Sequence, residues 1–420
     1  MVKSASPPLP FEHDNRTKIL NAASKVFLNE GLERTSVDRI AAAAHMSKQS
    51  IYELFPSKVA LFEAAVRSKL QIAWHGTISI DEDAPMEDTL KKYALRLSDA
   101  FADPVGFGLF RANIAAARYF PELATELHEQ RLAGAQPLAD YLENLIQGGI
   151  ILSCNPLAMA IRFGSLAVDG ARYFLGAALP GMAKRERDAE NAVRLFLNGY
   201  RAMTEGGGDG LPPAKIEPPV RESVVALRLS AEKFAALIEA VTNEFLDQGY
   251  RRANVDRAAA GVQVSKATVY RQFGNKEHLL RYIVQRDIYE ASREPFEPLP
   301  AGMDAESALV AFARQVLDRH LAPANIAMHR LLVEEADLIP DLARLFYEGR
   351  VDRLGQPLRD LLAAQGLPPP NRPAVHAFYA LATFAARFFT APETPSEMQR
   401  DSYARASAVL FLHGLRKGTG

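Results

Sequence analysis

One phrase occurs twice in this chain of 420 residues: 47–58 reads SKQSIYELFPSK and 265–276 reads SKATVYRQFGNK. The offset of 218 residues holds upstream without a gap. It pairs Phe27 with Phe245, Gly31 with Gly249, Val37-Asp38-Arg39 with Val255-Asp256-Arg257, and Ala41-Ala42 with Ala259-Ala260. Further on, YFPELATELHEQR (119–131) echoes LIPDLARLFYEGR (338–350), ARYF (171–174) echoes ARFF (386–389), and FLNGY (196–200) echoes FLHGL (411–415). The chain therefore consists of two diverged copies of one unit of roughly 200 residues, a size at which each copy can bury its own core.

Each copy reads as helix nearly throughout, because apolar residues recur at spacings of three and four. In RTKILNAASKVFLNEG, Ile19, Leu20, Ala23, Val26 and Phe27 share one face, and Gly31 is a helix stop. Ser36, Ser47 and Ser57 stand where they cap three successive helices, the last running through Leu61, Phe62, Ala65 and Val66 toward Trp74; Asn254, Ser265 and Asn275 take those places in copy two. Further helices are expected in copy one at 86–102, 104–119, 121–152, 155–178 and 187–204, with Pro137 kinking or dividing the third and Asn155-Pro156 opening the fourth. The last two carry apolar residues on several sides and so must be buried on several sides, the equivalent helices of the other copy being the obvious partners.

The stretch EGGGDGLPPAKIEPPV (205–220) replaces helical periodicity with Gly and Pro and reads as a linker. The expected division is a disordered Pro-rich tail (1–13), a first domain of short capped helices (14–73), a first domain of longer helices (74–204), the linker (205–226), and the second copies of the short-helix domain (227–291) and of the long-helix domain (292–420). The charges nearly cancel, with 49 Lys and Arg against 50 Asp and Glu, so any surface for nucleic acid must be local. The single cysteine, Cys154, allows no intrachain disulfide; no apolar stretch suits a membrane helix or a signal peptide, and a cytoplasmic location is expected.

Two short helices joined by a tight turn, the second opening on small polar and basic residues, form the geometry of a helix-turn-helix. In copy one Lys48, Gln49 and Ser50 can approach base edges, while Tyr52 and Lys58 reach the flanking phosphates. Ile51, Leu54 and Phe55 face the small core. An ordinary amphipathic helix pair would look similar in one copy, but repetition with the caps intact favours a reader. Together ILNAASKVFLNEG, SVDRIAAAA, SKQSIYELFPSK and LFEAAV resemble the DNA-binding domain of the TetR/AcrR family of transcriptional repressors, over 15–73 and again over 233–291. FPELA and IPDLA resemble a ligand-domain segment of some branches of that family. The resemblance implies an all-α fold of two tandem units, binding to double-stranded operator DNA as a dimer, and release when a small molecule enters the C-terminal domain. It also implies DNA contacts from Ser36, Lys48, Gln49, Ser50, Tyr52 and Lys58 in copy one, and from Asn254, Lys266, Ala267, Thr268, Tyr270, Arg271 and Lys276 in copy two. The family places glycine in the reader turn; here stand His45 and Gln263, at a cost in local strain. Ala258 replaces the core residue Ile40, so the second reader should pack more loosely.

The copies differ where bases would be read: Gln49, Ser50 and Glu53 against Ala267, Thr268 and Arg271. One chain acting as an intrachain pseudo-dimer should therefore read two unlike half-sites, with the second reader supplying more of the attraction to phosphate. A largely hydrophobic effector is expected among apolar and polar side chains of the regulatory halves. The candidates are Trp74, Tyr93, Phe107, Phe110, Arg111, Tyr119, His128 and Phe163 in copy one, and His320, His329, Arg330, Glu334, Phe346, Tyr347, His376 and Phe384 in copy two. No cofactor or metal is called for: LHEQR has Leu132 where a zinc-protease motif needs its second histidine, and no nucleophile elbow or dinucleotide fingerprint occurs, so an enzyme is not expected. Two further readings stay open: one reader could be degenerate and serve pairing alone, and the tandem chain could still pair with itself.

Overall fold

The computed structural model describes residues 10–75, 80–117, 120–203, 216–219, 229–300, 302–384, 387–391 and 393–417. Most of the expected tail and linker, and Tyr119, lie outside them. Copy one comprises α1 (Pro10–Arg34), α2 (Val37–Ala44), α3 (Lys48–Leu54), α4 (Lys58–His75), α5 (Met86–Ala102), α6 (Pro104–Ala116), α7 (Pro121–Gln147), α8 (Pro156–Val168), α9 (Gly170–Phe174) and α10 (Met182–Asn198), closed by a 3-10 turn over Tyr200–Met203. Copy two repeats the order as α11 (Ala231–Arg252), α12 (Val255–Gly261), α13 (Lys266–Phe273), α14 (Lys276–Arg293), α15 (Ala305–Leu321), α16 (Pro323–Glu334), α17 (Pro340–Ala364), α18 (Arg372–Thr383) and α19 (Glu397–His413), with a 3-10 turn over Arg387–Phe389. The fold is all-α. Among the described residues the one β-type pairing is an isolated antiparallel bridge between Ile151 and Arg416.

Each reader closes over a small core. Ile19, Ala23 and Phe27 of α1 are fully buried with Ile40, Leu61 and Phe62, and the rings of Phe27 and Phe62 meet edge to face at 5.1 Å. In copy two Leu237, Val241 and Phe245 take the same role with Leu280 and Val284. Ala258 is half-buried where Ile40 is sealed, so the second reader lacks that apolar plug. Burying one such large apolar side chain contributes ~1.5 to 3 kcal/mol, enough to hold helices too short to persist alone.

The structure departs from the sequence reading at several helix boundaries, among them α7, which ends at Gln147 rather than at 152. The expected helix over 155–178 is broken, because Asp169 adopts a left-handed backbone (φ 41°) that ends α8 and starts α9. Phe384 breaks copy two at the equivalent place, with φ 53°. The last helix of copy one begins at Met182 and stops at Gly199, so residues expected at its C-terminal end form the 3-10 turn. Pro137 does not divide α7, and Pro357 sits likewise inside α17. Each proline removes one N–H from the ladder, but the buried turns that follow, with Leu138 and Leu142 in one helix and Leu358 and Leu362 in the other, hold the helix course by packing.

The two copies pack against one another through α8 and α10 on one side and α18 and α19 on the other, and again where α6 meets α16. Near the ends of α10 and α19 the backbones touch. A Cβ on Gly199 would stand 2.6 Å from the Leu412 carbonyl oxygen, and one on Gly414 would stand 2.4 Å from the Leu197 carbonyl carbon and the Asn198 nitrogen. Both glycines have positive φ, 74° and 68°, so the repeated FLNG and FLHG mark the point where the copies cross. Beside it Tyr200 stacks on Phe411 with centroids 4.8 Å apart, and its hydroxyl donates to the Pro368 carbonyl at 2.9 Å.

Polar groups are sealed into the same interface. Arg162 is 1 % exposed; it donates to the carbonyls of Ala158 and Tyr403 at 3.0 and 3.1 Å, and its guanidinium lies 4.6 Å from the centre of the Phe384 ring. Burial pulls its pKa down to about 9. Asp169 accepts from the Tyr347 hydroxyl at 2.7 Å, and burial raises its carboxyl to about 6. Arg111 forks onto Asp337 at 2.8 and 3.0 Å, joining α6 to the turn beyond α16.

Candidate nucleic-acid interface

The readers are built by six side-chain caps at the positions anticipated from sequence. Ser36 Oγ accepts from the Arg39 amide (3.3 Å), Ser47 from Ser50 (3.0 Å) and Ser57 from Ala60 (3.0 Å). In copy two Asn254 accepts from Arg257 (2.9 Å), Ser265 from Thr268 (3.2 Å) and Asn275 from His278 (2.8 Å). Each cap satisfies an orphan donor of a short helix and contributes about 1 kcal/mol.

Left-handed residues make the turns: His45 has φ 53° and Gln263 φ 59°. An L-residue there carries a strain of about 1 kcal/mol that glycine would not. We therefore expect Gln263→Gly to raise the urea midpoint of the protein by the equivalent of ~0.5 to 1 kcal/mol without changing the slope of the transition.

Capping and turn together orient α3 and α13. Ile51 and Val269 point into the reader cores, while Lys48, Gln49, Tyr52 and Glu53 of α3, and Lys266, Ala267 and Arg271 of α13, face outward. Ser50, Thr268 and Tyr270 are half-buried beside them, and Ser50 and Thr268 share hydroxyl hydrogen bonds with the capping serines at 2.8 and 2.9 Å. Gln49 donates to Glu53 at 3.1 Å, so in copy one two exposed residues of α3 are tied to each other.

The first lysine of each recognition helix is clamped in the same way. Lys48 Nζ lies 2.9 Å from Asp38 and Lys266 Nζ 2.6 Å from Asp256, and the carboxylate hydrogen bond raises both lysine pKa values. Such exposed pairs are weak, so a phosphate can take the ammonium at little cost. Lys58 and Lys276, expected at the flanking phosphates, are half-buried and engage backbone carbonyls: Lys58 donates to that of Thr35 at 3.2 Å and Lys276 to that of Ala253 at 2.7 Å. They close the segment after the first helix of each reader, and burial lowers the pKa of Lys276. Ser36 and Asn254 are likewise occupied as caps, though at exposed helix starts.

Ion pairs connect readers to regulatory helices. Arg67 of α4 forks onto Glu126 of α7 at 2.5 and 2.7 Å, and Arg281 of α14 forks onto Asp341 of α17 at 2.5 and 3.3 Å. Glu335 is fully buried with Arg251 of α11 3.5 Å away. Sequence reading missed these contacts, because their partners are far apart in the chain and the arginines do not occupy equivalent repeat positions. Asp38 and Asp256 were visible inside the repeated Val-Asp-Arg, but nothing there announced a lysine clamp.

Several of the effector candidates pack against one another or against neighbouring side chains. Tyr93 and Phe163 are core neighbours (6.2 Å), while Phe107 and Phe110 both stack on Phe174, Phe107 at 5.0 Å and Phe110 at 5.1 Å. Arg111, Tyr347 and Phe384 are interface residues, His128 is half-buried on α7, and the side chain of Trp74 lies outside the described set. In copy two His320 and His329 face each other at 5.3 Å, with His329 4.7 Å from Phe346. Arg330 donates to the Phe389 carbonyl at 2.8 Å, Glu334 ends α16, and His376 is 3.6 Å from Glu348. Burial pushes His320 and His376 to about 3, leaving both imidazoles neutral near pH 7.

Residues 19–65 and 237–283 each match the model for bacterial regulatory proteins of the tetR family, and 88–202 and 307–367 match that for the C-terminal domain of AefR-like transcriptional repressors. The chain belongs to the tetR family. It is similar to the HTH-type transcriptional regulator RutR of Escherichia coli strain K12, at 24% identity over 204 residues, 44% of this chain and 89% of RutR. Among solved structures, a putative TetR-family regulator of Mesorhizobium loti is 26% identical, covering 43% of this chain and 94% of its own, with a TM-score of 0.40. A TetR-family regulator of Pseudomonas syringae pv. tomato is 23% identical over 43% of this chain and 94% of its own, with a TM-score of 0.36. RutR thus aligns with the length of one copy, whereas this TetR-family chain carries both family models twice, as DNA-binding regulators joined in tandem. No helix among the described residues is long and apolar enough to cross a membrane.

Proposed function

We propose that the protein is a ligand-responsive repressor whose single chain acts as a pseudo-dimer on an operator with two non-identical half-sites. The observation that carries this reading is the pair of recognition helices, alike in caps, turns and lysine clamps yet unlike in exposed residues: Gln49 and Glu53 against Ala267 and Arg271. Arginine forks onto guanine, Ala can contact a thymine methyl, and Glu can accept from cytosine, so the two helices ask for different bases. Lys48, Ser50, Tyr52, Lys266, Thr268 and Tyr270 contribute beside them, and the amide-rich starts of α3 and α13 suit phosphate. Ligand response would act through α4 and α14: an effector favouring one arrangement of the regulatory helices moves them through the Arg67–Glu126 and Arg281–Asp341 forks. The size of the response is the effector's differential affinity, typically ~1 to 3 kcal/mol.

Selecting bound sequences from random DNA with the intact chain tests the reading. The expected product is one site with two dissimilar halves about one helical turn apart, ~34 Å. Arg271→Ala should then lower affinity about 10- to 100-fold and relax the base requirement in one half only. A selected palindrome, or equal loss for every base change in both halves, would overturn it; loss from Lys266→Ala with none from Lys48→Ala would mean a degenerate first reader.

A further inference from the structure

The two readers are joined to each other through a pair of helices. α6 packs on α1 and α4 of the first reader, α16 packs on α11 of the second, and α6 and α16 pack on one another. Phe110 and Ala112 of α6 lie against the apolar core of the first reader, and the ring of Phe120, just beyond α6, meets Phe62 of α4 at 5.6 Å. The pairing of α8 and α10 with α18 and α19 holds the copies together, but at the crossing of α6 and α16 both readers are reached at once. Packed helices move as units, so a change of angle at that crossing alters how far apart the recognition helices stand.

One turn pins the crossing. Residues 335–339 follow α16; the Leu338 and Ile339 amides both donate to the Glu335 carbonyl, at 2.9 and 3.1 Å, and Ala336 and Ile339 are buried. From this turn Asp337 accepts from copy one, where Arg111 of α6 donates to its two oxygens at 3.0 and 2.8 Å. Glu335, fully buried, meets the second reader, with Arg251 of α11 3.5 Å away. The Arg111 fork fixes orientation as well as distance, because two N–H groups of a planar guanidinium must stay aligned with two oxygens. Asp337 is exposed, so the pair adds little to overall stability and its effect is on geometry.

The repeat supplies no second fork. At the offset of 219 residues that aligns the regulatory halves, the counterpart of Arg111 is Arg330, which donates to the Phe389 carbonyl of its own copy at 2.8 Å. The counterpart of Asp337 in the sequence is Arg118, and two arginines repel rather than pair. A dimer of identical subunits would carry such a link twice, so this one belongs to the tandem chain.

We infer that Arg111 and Asp337 are positioning residues that set the distance between the two readers, and with it the half-site spacing the chain accepts. The inference rests on the pseudo-dimer reading above. One extra base pair carries a half-site about 3.4 Å along the duplex and roughly 34° around it, a displacement that a braced pair of readers resists. The selected DNA site is prepared with its halves at the selected spacing, one base pair closer and one base pair farther, and the affinity of the intact chain is measured for each. The parent should prefer the selected spacing. Arg111→Gln and Asp337→Asn should each reduce that preference about threefold, the size of effect an exposed ion pair supports, while the urea midpoint and binding to a single half-site stay unchanged. The two substitutions change the net charge in opposite senses, so a general electrostatic effect on DNA would move their affinities in opposite directions at every spacing. The double variant should lose no more preference than either single one, because the two side chains make one contact. An undiminished preference, an equal loss at every spacing, or additive losses in the double variant would each overturn the inference. A parent indifferent to spacing would overturn the pseudo-dimer reading along with the brace, whereas a selective parent with equally selective variants would overturn the brace alone.

Discussion

Gly414→Ala is expected to lower stability by on the order of 3 kcal/mol and to cost the chain its DNA affinity, although the substituted residue is far in sequence from either recognition helix. The added methyl would stand 2.4 Å from backbone atoms of Leu197 and Asn198, a distance at which the backbone of one copy must retreat from the other. Flexible side chains cannot absorb the collision, because the groups involved are peptide units at the end of α10. Gly31→Ala supplies the control. Its φ of 73° and ψ of 168° impose the same conformational penalty as at Gly414, about 1 to 3 kcal/mol, but nothing lies within 4 Å of the new methyl, so it should cost less than Gly414→Ala. Urea unfolding of both variants, with DNA affinity measured alongside, separates loss of contact between copies from backbone strain. Equal losses would mean that the close approach at Gly414 matters little.

Arg162 gives the second large effect. Its guanidinium is buried and, among the described residues, has no carboxylate partner; it is held by two carbonyls, the Ser407 hydroxyl at 3.4 Å and the face of Phe384. Truncation to Ala opens a cavity between the copies and leaves the Tyr403 carbonyl without this donor, so a loss of about 3 kcal/mol is expected. Arg162→Met keeps most of the volume and removes the desolvated charge. It should stay within about 1 kcal/mol of the parent, since apolar replacements of buried charges are often neutral or better. Chemical denaturation of the pair decides: if Met costs as much as Ala, the charge itself holds the interface.

Much of the architecture was legible because it is local. Caps at Ser36, Ser47, Ser57, Asn254, Ser265 and Asn275 need only a polar side chain at the right offset, and the apolar stripe of α1 needs only a period. The break at Asp169 was not legible, since Asp only sometimes takes a left-handed backbone and Phe at 384 rarely does; tertiary contacts impose that backbone. The reader residues were placed on exposed helix faces by pattern alone, but Lys58 and Lys276 turned inward to carbonyls, a preference that depends on how the reader's first helix meets its last. The packing partners of the effector candidates were not legible for a related reason. Aromatic and histidine side chains in a helical bundle mostly pack against each other, and which of them meet depends on a chain course that periodicity does not encode.

The chain crosses itself between the repeated FLNG and FLHG, and covalent union has a genetic consequence there. In an assembly of identical subunits each substitution lands on both sides of the symmetry axis and its energy counts twice. Here every interface position is encoded once. Asp169 occurs where the other copy has Phe384, and each can drift against its own surroundings without forcing the same change on the opposite side.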